Sequence, residues 1–326
     1  MKILIYGDHV FSVEVASGFL EIGCETDVVY PETAHELLQC IKDAKPDIFM
    51  TLGTPPFYRQ EMLNAIGKKT SPGTIYVHWD TDGVLWETLE MNLIRASRPD
   101  AVFTICPVMQ ERISKLGIPC HILPFASNAQ MHHPALDDDG YTGKITFVGN
   151  WYRALAETMP EHLRHESMRV LFKPLIEGGN DVHFYGANTA DYPFKQVFGL
   201  DIPRNCFHGH VPYEHIHRIF SGCFINLVPQ NYEHSIIKRA FEILGSGGFG
   251  LSYDTEAMKA TFPEGNGFVY TSSPKETLEI VEYYRNEPQA YNRIRENALI
   301  TAQKHTYRQR AETIIQELFP GETEIV

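Results

Sequence analysis

The chain alternates short apolar runs with amphipathic stretches, and it does so twice, on either side of one polar interruption. In the first half the runs "KILIYG", "TDVVY", "DIFMTLG", "TIYVHWD", "AVFTIC" and "CHILPF" are separated by helix-patterned segments at 11–23, 33–44, 59–68, 86–97 and 108–116. Apolar runs of this length joined by helices specify a parallel sheet wound on both faces. Residues 127–143 lose the apolar periodicity and hold three consecutive aspartates with proline and glycine, which reads as a linker. The pattern resumes with "KITFVGN", a helix over 154–178, "DVHFYG", "CFHGHV", a helix over 214–221, "CFINLVP", a helix over 236–246, "GFGLSY" and "GFVYTS", then three helices across 274–319.

Two α/β domains of the Rossmann-like kind are therefore expected, doubly wound and facing across a cleft. They span 1–126 and 144–305, with the helix of 306–326 returning to the first. The 326 residues, 43% of them hydrophobic, can fill both cores. The formal charge of −13, from 28 basic and 41 acidic side chains, gives no electrostatic footprint for bulk nucleic acid or an anionic membrane. The start "MKILIYGD" lacks a signal-peptide pattern and no later run reaches membrane-spanning length, so a cytoplasmic location is expected. Six cysteines without any Cys-x-x-Cys read as buried thiols.

Ligands of open α/β sheets sit beyond the carboxyl ends of the strands. The stretch "SIIKRAFEILGSGG", 235–248, follows "CFINLVP" and should begin a helix there. On its wheel Ile237, Ala240, Phe241 and Leu244 form an apolar face, and Ser235, Lys238, Arg239 and Glu242 the polar one. Cations at a helix N-terminus oppose the macrodipole by roughly 0.3–1 kcal/mol each when exposed, a conflict that a bound anion removes. Two readings stand: a solvated face with a Lys238–Glu242 ion pair, or a phosphate site. The first strand-to-helix turn, "YGDHVFS", lacks G-x-G-x-x-G, and a P-loop is absent. Lys238 and Arg239 at a helix end suit a diphosphate without a metal, and Glu242 could accept from sugar or ribose hydroxyls. A nucleotide diphosphate-sugar, such as a UDP-sugar, would use all of these.

The segment "RAFEILGSGGFGLSYDTEAMKATFPEGNGFVYTSSPKETLEIVEYY" and the later "HTYRQRAE" resemble the C-terminal half of the spore-maturation (CgeB-like) glycosyltransferases, of the glycosyltransferase family 4 or GT-B type. "DAVFTICPVMQERISKLGIPCHILPFASNAQMHHP", "FVGN" at 147–150 and "CFHGHVPYEHIHRIFSGCFINLVP" extend the similarity over roughly 100–310. The resemblance implies metal-independent transfer of a sugar from a nucleotide donor to an acceptor hydroxyl of unassigned class, with retention of configuration and no cofactor. It places Glu242 at the second Glu of a Glu-x7-Glu motif, on the donor ribose. The first Glu falls at His234, which leaves three readings: a different sugar, a role for Glu233, or a chain without activity. Arg239 becomes the diphosphate ligand, with Ser235 lending its N–H or hydroxyl. Tyr213 is placed beside the donor base, and Gly149 and Arg153 near the phosphates; a surface salt bridge is the other reading of Arg153. A nucleotide-sugar epimerase and an inactive nucleotide-sugar-binding protein are the rival functions.

"VHWDTDG", 77–83, ends a strand of the first domain. Asp80 or His78 could take a proton from an acceptor hydroxyl, with Asp82 and His9 on the acceptor side. Two other readings of Asp80-Thr81-Asp82 are a turn capped by carboxylates and a divalent metal site. His208, His210, His215 and His217 invite a zinc reading, but on a helix His215 and His217 would point apart.

Overall fold

The computed structural model describes residues 1–53, 66, 72–135, 139–187, 192–199 and 201–321. The expected helix over 59–68 lies outside the described residues except for Ile66. The chain divides into two compact units, Met1–Phe125 joined by the chain from Thr306, and Ala126–His305.

In the first unit the strands are β1 (Lys2–Tyr6), β2 (Glu25–Val29), β3 (Ile48–Leu52), β4 (Ile75–Asp80), β5 (Ala101–Thr104) and β6 (Cys120–Ile122). They form one parallel sheet in the order β2-β1-β3-β4-β5-β6. β3 and β5 are buried throughout, as strands covered on both faces must be. Helices His9–Glu21, Ala34–Ala44, Glu87–Ser97 and Pro107–Ser114 connect them. The sequence sets their starts: Asp8 accepts from the Val10 and Phe11 N–H groups, and Thr33 with Glu36 forms a capping box.

The helix Tyr307–Leu318 belongs to this unit. Thr306 and Gln309 box its start, and Arg310, 8% exposed, donates to the Pro124 and Phe125 carbonyls. Gly18 allows the close approach: a Cβ there would lie 2.2 Å from the Tyr307 carbonyl oxygen.

The second unit holds β7 (Ile145–Val148), β8 (Val182–Tyr185), β9 (Ile225–Val228), β10 (Gly250–Tyr253) and β11 (Phe268–Thr271), parallel, in the order β11-β10-β9-β7-β8. The chain therefore reverses its winding between β7 and β9, where ligand crevices of such sheets open. Phe147, Phe172, Phe184, Leu227 and Phe249 are among the residues of the core on this sheet.

Several expectations are corrected. The helix expected over 154–178 is two, Arg153–Thr158 and Leu163–Glu177, because Pro160 excludes the helical conformation at Met159. "CFHGHV" is not a strand: Gly209 turns at φ 71°, and only Phe207 bridges to Phe184. Helices Phe194–Phe198 and Glu256–Thr261 were not anticipated. The expected linker is partly core of the second unit: Ser127, Asn128 and His132 are buried, the first and last packed on Gly245, where a Cβ would meet both within 3 Å. Of the cysteines, Cys24, Cys106 and Cys223 are buried and Cys40, Cys120 and Cys206 half-buried.

Gly18→Ala should destabilise the first unit by about 1–3 kcal/mol, because the added carbon meets backbone that cannot step aside. Denaturant unfolding would show it as a lowered midpoint, with earlier proteolysis in 307–318. An unchanged midpoint would contradict the packing.

Candidate functional site

In the second unit three helical or turn segments converge at the carboxyl side of the sheet. The helix after β9 runs Lys238–Gly245, beginning later than its sequence suggested, with Ile237 extended (φ −71°, ψ 146°) and no side chain capping the N-terminus. Ser235, 5% exposed, precedes the helix and does not cap it.

Glu242 organises the first two turns. Its side chain is 2% exposed, against 22% for Lys238 and 24% for Arg239. Oε1 accepts from Lys238 Nζ at 2.8 Å and from the Tyr213 hydroxyl at 2.5 Å, and Oε2 accepts from Arg239 Nη1 at 2.5 Å. Burial alone would raise its pKa, but Arg239 and Lys238 override that and hold the carboxyl below the ordinary range. Lys238 also donates to the Tyr213 hydroxyl and lies 4.5 Å from its ring centroid, so the ring expected to stack on a base carries an ammonium on one face. The carboxylate expected on a ribose already holds three protein donors.

Arg164 is the residue that sequence reasoning missed. It sits in the first turn of the helix Leu163–Glu177, 5% exposed. Its guanidinium donates to Asn231 Oδ1 at 2.7 Å and to the Asn150 carbonyl at 2.8 Å, and lies 4.9 Å from the Tyr152 ring centroid. Asn150 follows β7 and Asn231 follows β9, so Arg164 spans the winding reversal. No carboxylate pairs with it among the described residues. Burial lowers its pKa, and repulsion from Arg239 adds to the effect. Lys238 and Arg239 thus share Glu242 while Arg164 pairs with no carboxylate among the described residues, and a buried cation without a counter-charge is costly. The arrangement favours an anion.

The other expected donor residues fall as follows. Gly149 accommodates the Phe147 ring, which a Cβ would meet at 2.7 Å. Arg153 is exposed and pairs with Glu157 at 2.7 Å, the surface salt bridge. His234 is exposed, and Glu233, half-buried, accepts from the Glu256 N–H through Oε1 at 3.0 Å. Within the histidine cluster His208 pairs with His183 at 2.7 Å while His217 packs on His133, so the imidazoles separate. Among the described residues no group of three His, Cys, Asp or Glu side chains could hold a metal ion.

In the first unit the strand-end residues are spent on structure. Tyr76, His78 and Asp80 alternate along β4 onto one face, where Glu90 and Ser97 of the helix Glu87–Ser97 meet them, seven residues apart. His78 Nδ1 pairs with Thr51 Oγ1 at 2.7 Å and Nε2 with Glu90; Tyr76 donates to Ser97. Asp80 accepts from Thr104 Oγ1 at 2.6 Å and from the Asp82 and Gly83 N–H groups at 3.1 and 3.0 Å. Both His78 and Asp80 are 0% exposed, so neither reaches an acceptor hydroxyl, and Asp80 is the turn-capping carboxylate rather than a metal ligand or base. Asp82 is half-buried, and His9 is exposed and stacks on Tyr30 at 3.9 Å.

Burial, reinforced by Glu90, pushes the Asp80 carboxyl up to about 7. The unfolded chain would release that proton at about 3.9. Folding stability from Asp80 is therefore full below about pH 4 and declines as pH rises toward 7. Asp80→Asn keeps the acceptor for the turn and should remove that part of the slope. Urea midpoints from pH 4 to 8 that fall in parallel for both proteins would contradict it.

Residues 160–316 match the profile of a family described as glycosyl transferase-like. No curated protein matches. Among solved structures, sucrose-phosphate synthase from Thermosynechococcus elongatus superposes with a TM-score of 0.67 at 10% identity, covering 98% of each chain. HepE from Anabaena in complex with UDP-glucose gives 0.67 at 11% identity over 98% of this chain and 99% of that one. UDP-GlcNAc 2-epimerase from Neisseria meningitidis bound to UDP-GlcNAc gives 0.55 at 14%, over 98% and 99%. With two parallel α/β sheets in separate units, these likenesses make the fold GT-B.

Proposed function

We propose that the protein is a glycosyltransferase that binds a nucleoside diphosphate-sugar in its second unit and transfers the sugar to an acceptor hydroxyl. The observation that carries this is Arg164, a buried guanidinium that pairs with no carboxylate among the described residues, beside Arg239 at the winding reversal between β7 and β9. A diphosphate supplies the missing negative charge there, and the uncapped N-terminus of the Lys238–Gly245 helix adds its dipole. The glycosyl transferase-like profile and the UDP and UDP-sugar complexes among the structural neighbours support a nucleotide-sugar as the anion.

When the bond from the sugar's C1 to the diphosphate oxygen breaks, the electron pair moves onto the phosphate. Arg164, Arg239 and Lys238 stabilise it where a metal would otherwise be needed. The reading is therefore of a metal-independent enzyme, and the family resemblance extends it to retention of configuration. Acceptor choice is assigned to the first unit, where His9 and Asp82 remain the accessible candidates.

A thermal-shift panel of nucleotide-sugars, with and without divalent metal, tests the reading. One donor should raise the melting temperature without metal. Arg239→Ala and Arg164→Met should each weaken that donor's affinity by roughly 10- to 100-fold, the worth of a charge-assisted hydrogen bond. Undiminished affinity in both variants would refute it. Conversion of the donor with no acceptor present would point to an epimerase instead.

A further inference from the structure

Lys238 and Glu242 are held in place by groups that come from outside their own helix. Starting from the buried segment after Phe125, the Asn128 N–H donates to His132 Nδ1 at 3.1 Å. Nδ1 is therefore the acceptor of that ring, and the neutral imidazole carries its hydrogen on Nε2. Nε2 lies 3.0 Å from the Tyr213 hydroxyl and donates to it. That hydroxyl also accepts from Lys238 Nζ, so its own hydrogen is directed to Glu242 Oε1. The phenol oxygen thus accepts from His132 and Lys238 and donates to Glu242.

Resting on the nucleotide-sugar reading, we propose that His132 and Tyr213 are positioning residues of the donor site. They act through Lys238 and Glu242 to fix the cations at the start of the helix before the diphosphate arrives. Lys238 has a flexible four-carbon stem, and ordering it costs rotamer entropy. The Tyr213 hydroxyl meets that cost in the free protein, so binding does not have to.

Neutrality of His132 is a condition of this arrangement, because a protonated ring would have no acceptor for the Asn128 N–H and would add a further cation. Burial, with Lys238 and Arg239 nearby and against the pull of Glu242, lowers its pKa to about 3. The position is held from behind by Gly245, where any Cβ would lie 2.8 Å from that of His132.

The test measures donor affinity in Tyr213→Phe, His132→Leu, His132→Gln and the double variant Tyr213→Phe/His132→Leu. It uses the nucleotide-sugar that most stabilises the wild-type protein, with nitrogen-15 NMR of His132 alongside. Tyr213→Phe keeps the ring and removes the hydroxyl; it should weaken binding about 10-fold while the melting temperature stays within a few degrees. His132→Leu should match it, the double variant should be no weaker than either single one, and His132→Gln, which retains a donor, should restore most of the loss. The NMR should show the Nε2–H tautomer in the wild type and a shifted Nε2 resonance in Tyr213→Phe, where the hydroxyl that accepts from it is gone. Wild-type affinity in Tyr213→Phe, or losses that multiply in the double variant, would overturn the relay. If the wild-type protein binds no nucleotide-sugar, the functional reading fails by itself; an Nδ1–H tautomer, or an Nε2 resonance unmoved by Tyr213→Phe, then overturns the relay independently.

Discussion

A single buried carboxylate, Glu242, makes the second unit's site possible. Lys238 and Arg239 occupy the first turn of a helix, where the dipole disfavours them by roughly 0.3–1 kcal/mol each. Glu242, one turn on and 2% exposed, offsets this by accepting from both. Its own ionisation in a dry position depends in turn on those cations, since burial alone would raise its pKa. Removing one partner of such a buried set typically costs about 3–5 kcal/mol. The flanking structure follows: Gly245 brings the 127–132 segment against the helix end, and Tyr213 reaches Glu242 from the turn before the helix Ile216–Gly222.

The two units treat their buried ionisable groups in opposite ways. In the first, Tyr76, His78 and Asp80 on β4 find Ser97, Glu90 and Thr104 within the same unit. In the second, among the described residues Arg164 is met by an amide oxygen, a carbonyl and an aromatic face. Neutral partners satisfy its hydrogens but leave its charge. That residual charge lies at the point where the sheet reverses its winding, which is where ligand crevices of such sheets open.

The architecture was legible because strands buried on both faces appear in sequence as apolar runs broken by at most one polar residue, as with "IFMTL" and "INLV". Helix boundaries were less so: Ile236 and Ile237 continue the apolar phase of the Lys238 helix although both lie outside it. Lys238, Arg239 and Glu242 could be singled out because their conflict with the dipole is local. Arg164 could not, since in sequence it is one arginine in a helix, and its meaning comes from Asn150 and Asn231, 14 and 67 residues away. His78 and Asp80 were correctly set at a strand end, but their side-chain partners, Glu90, Thr51 and Thr104, belong to other elements and left them no free face.

The proposed reading turns on whether Arg164, Lys238 and Arg239 hold a diphosphate without a metal. Phosphorus-31 NMR of a panel of nucleotide-sugars, titrated with the protein in the presence of a metal chelator, addresses it directly. The account predicts that both phosphate resonances of at least one donor shift or broaden saturably. Resonances unperturbed for every donor, or perturbed only after a divalent metal is restored, would contradict it.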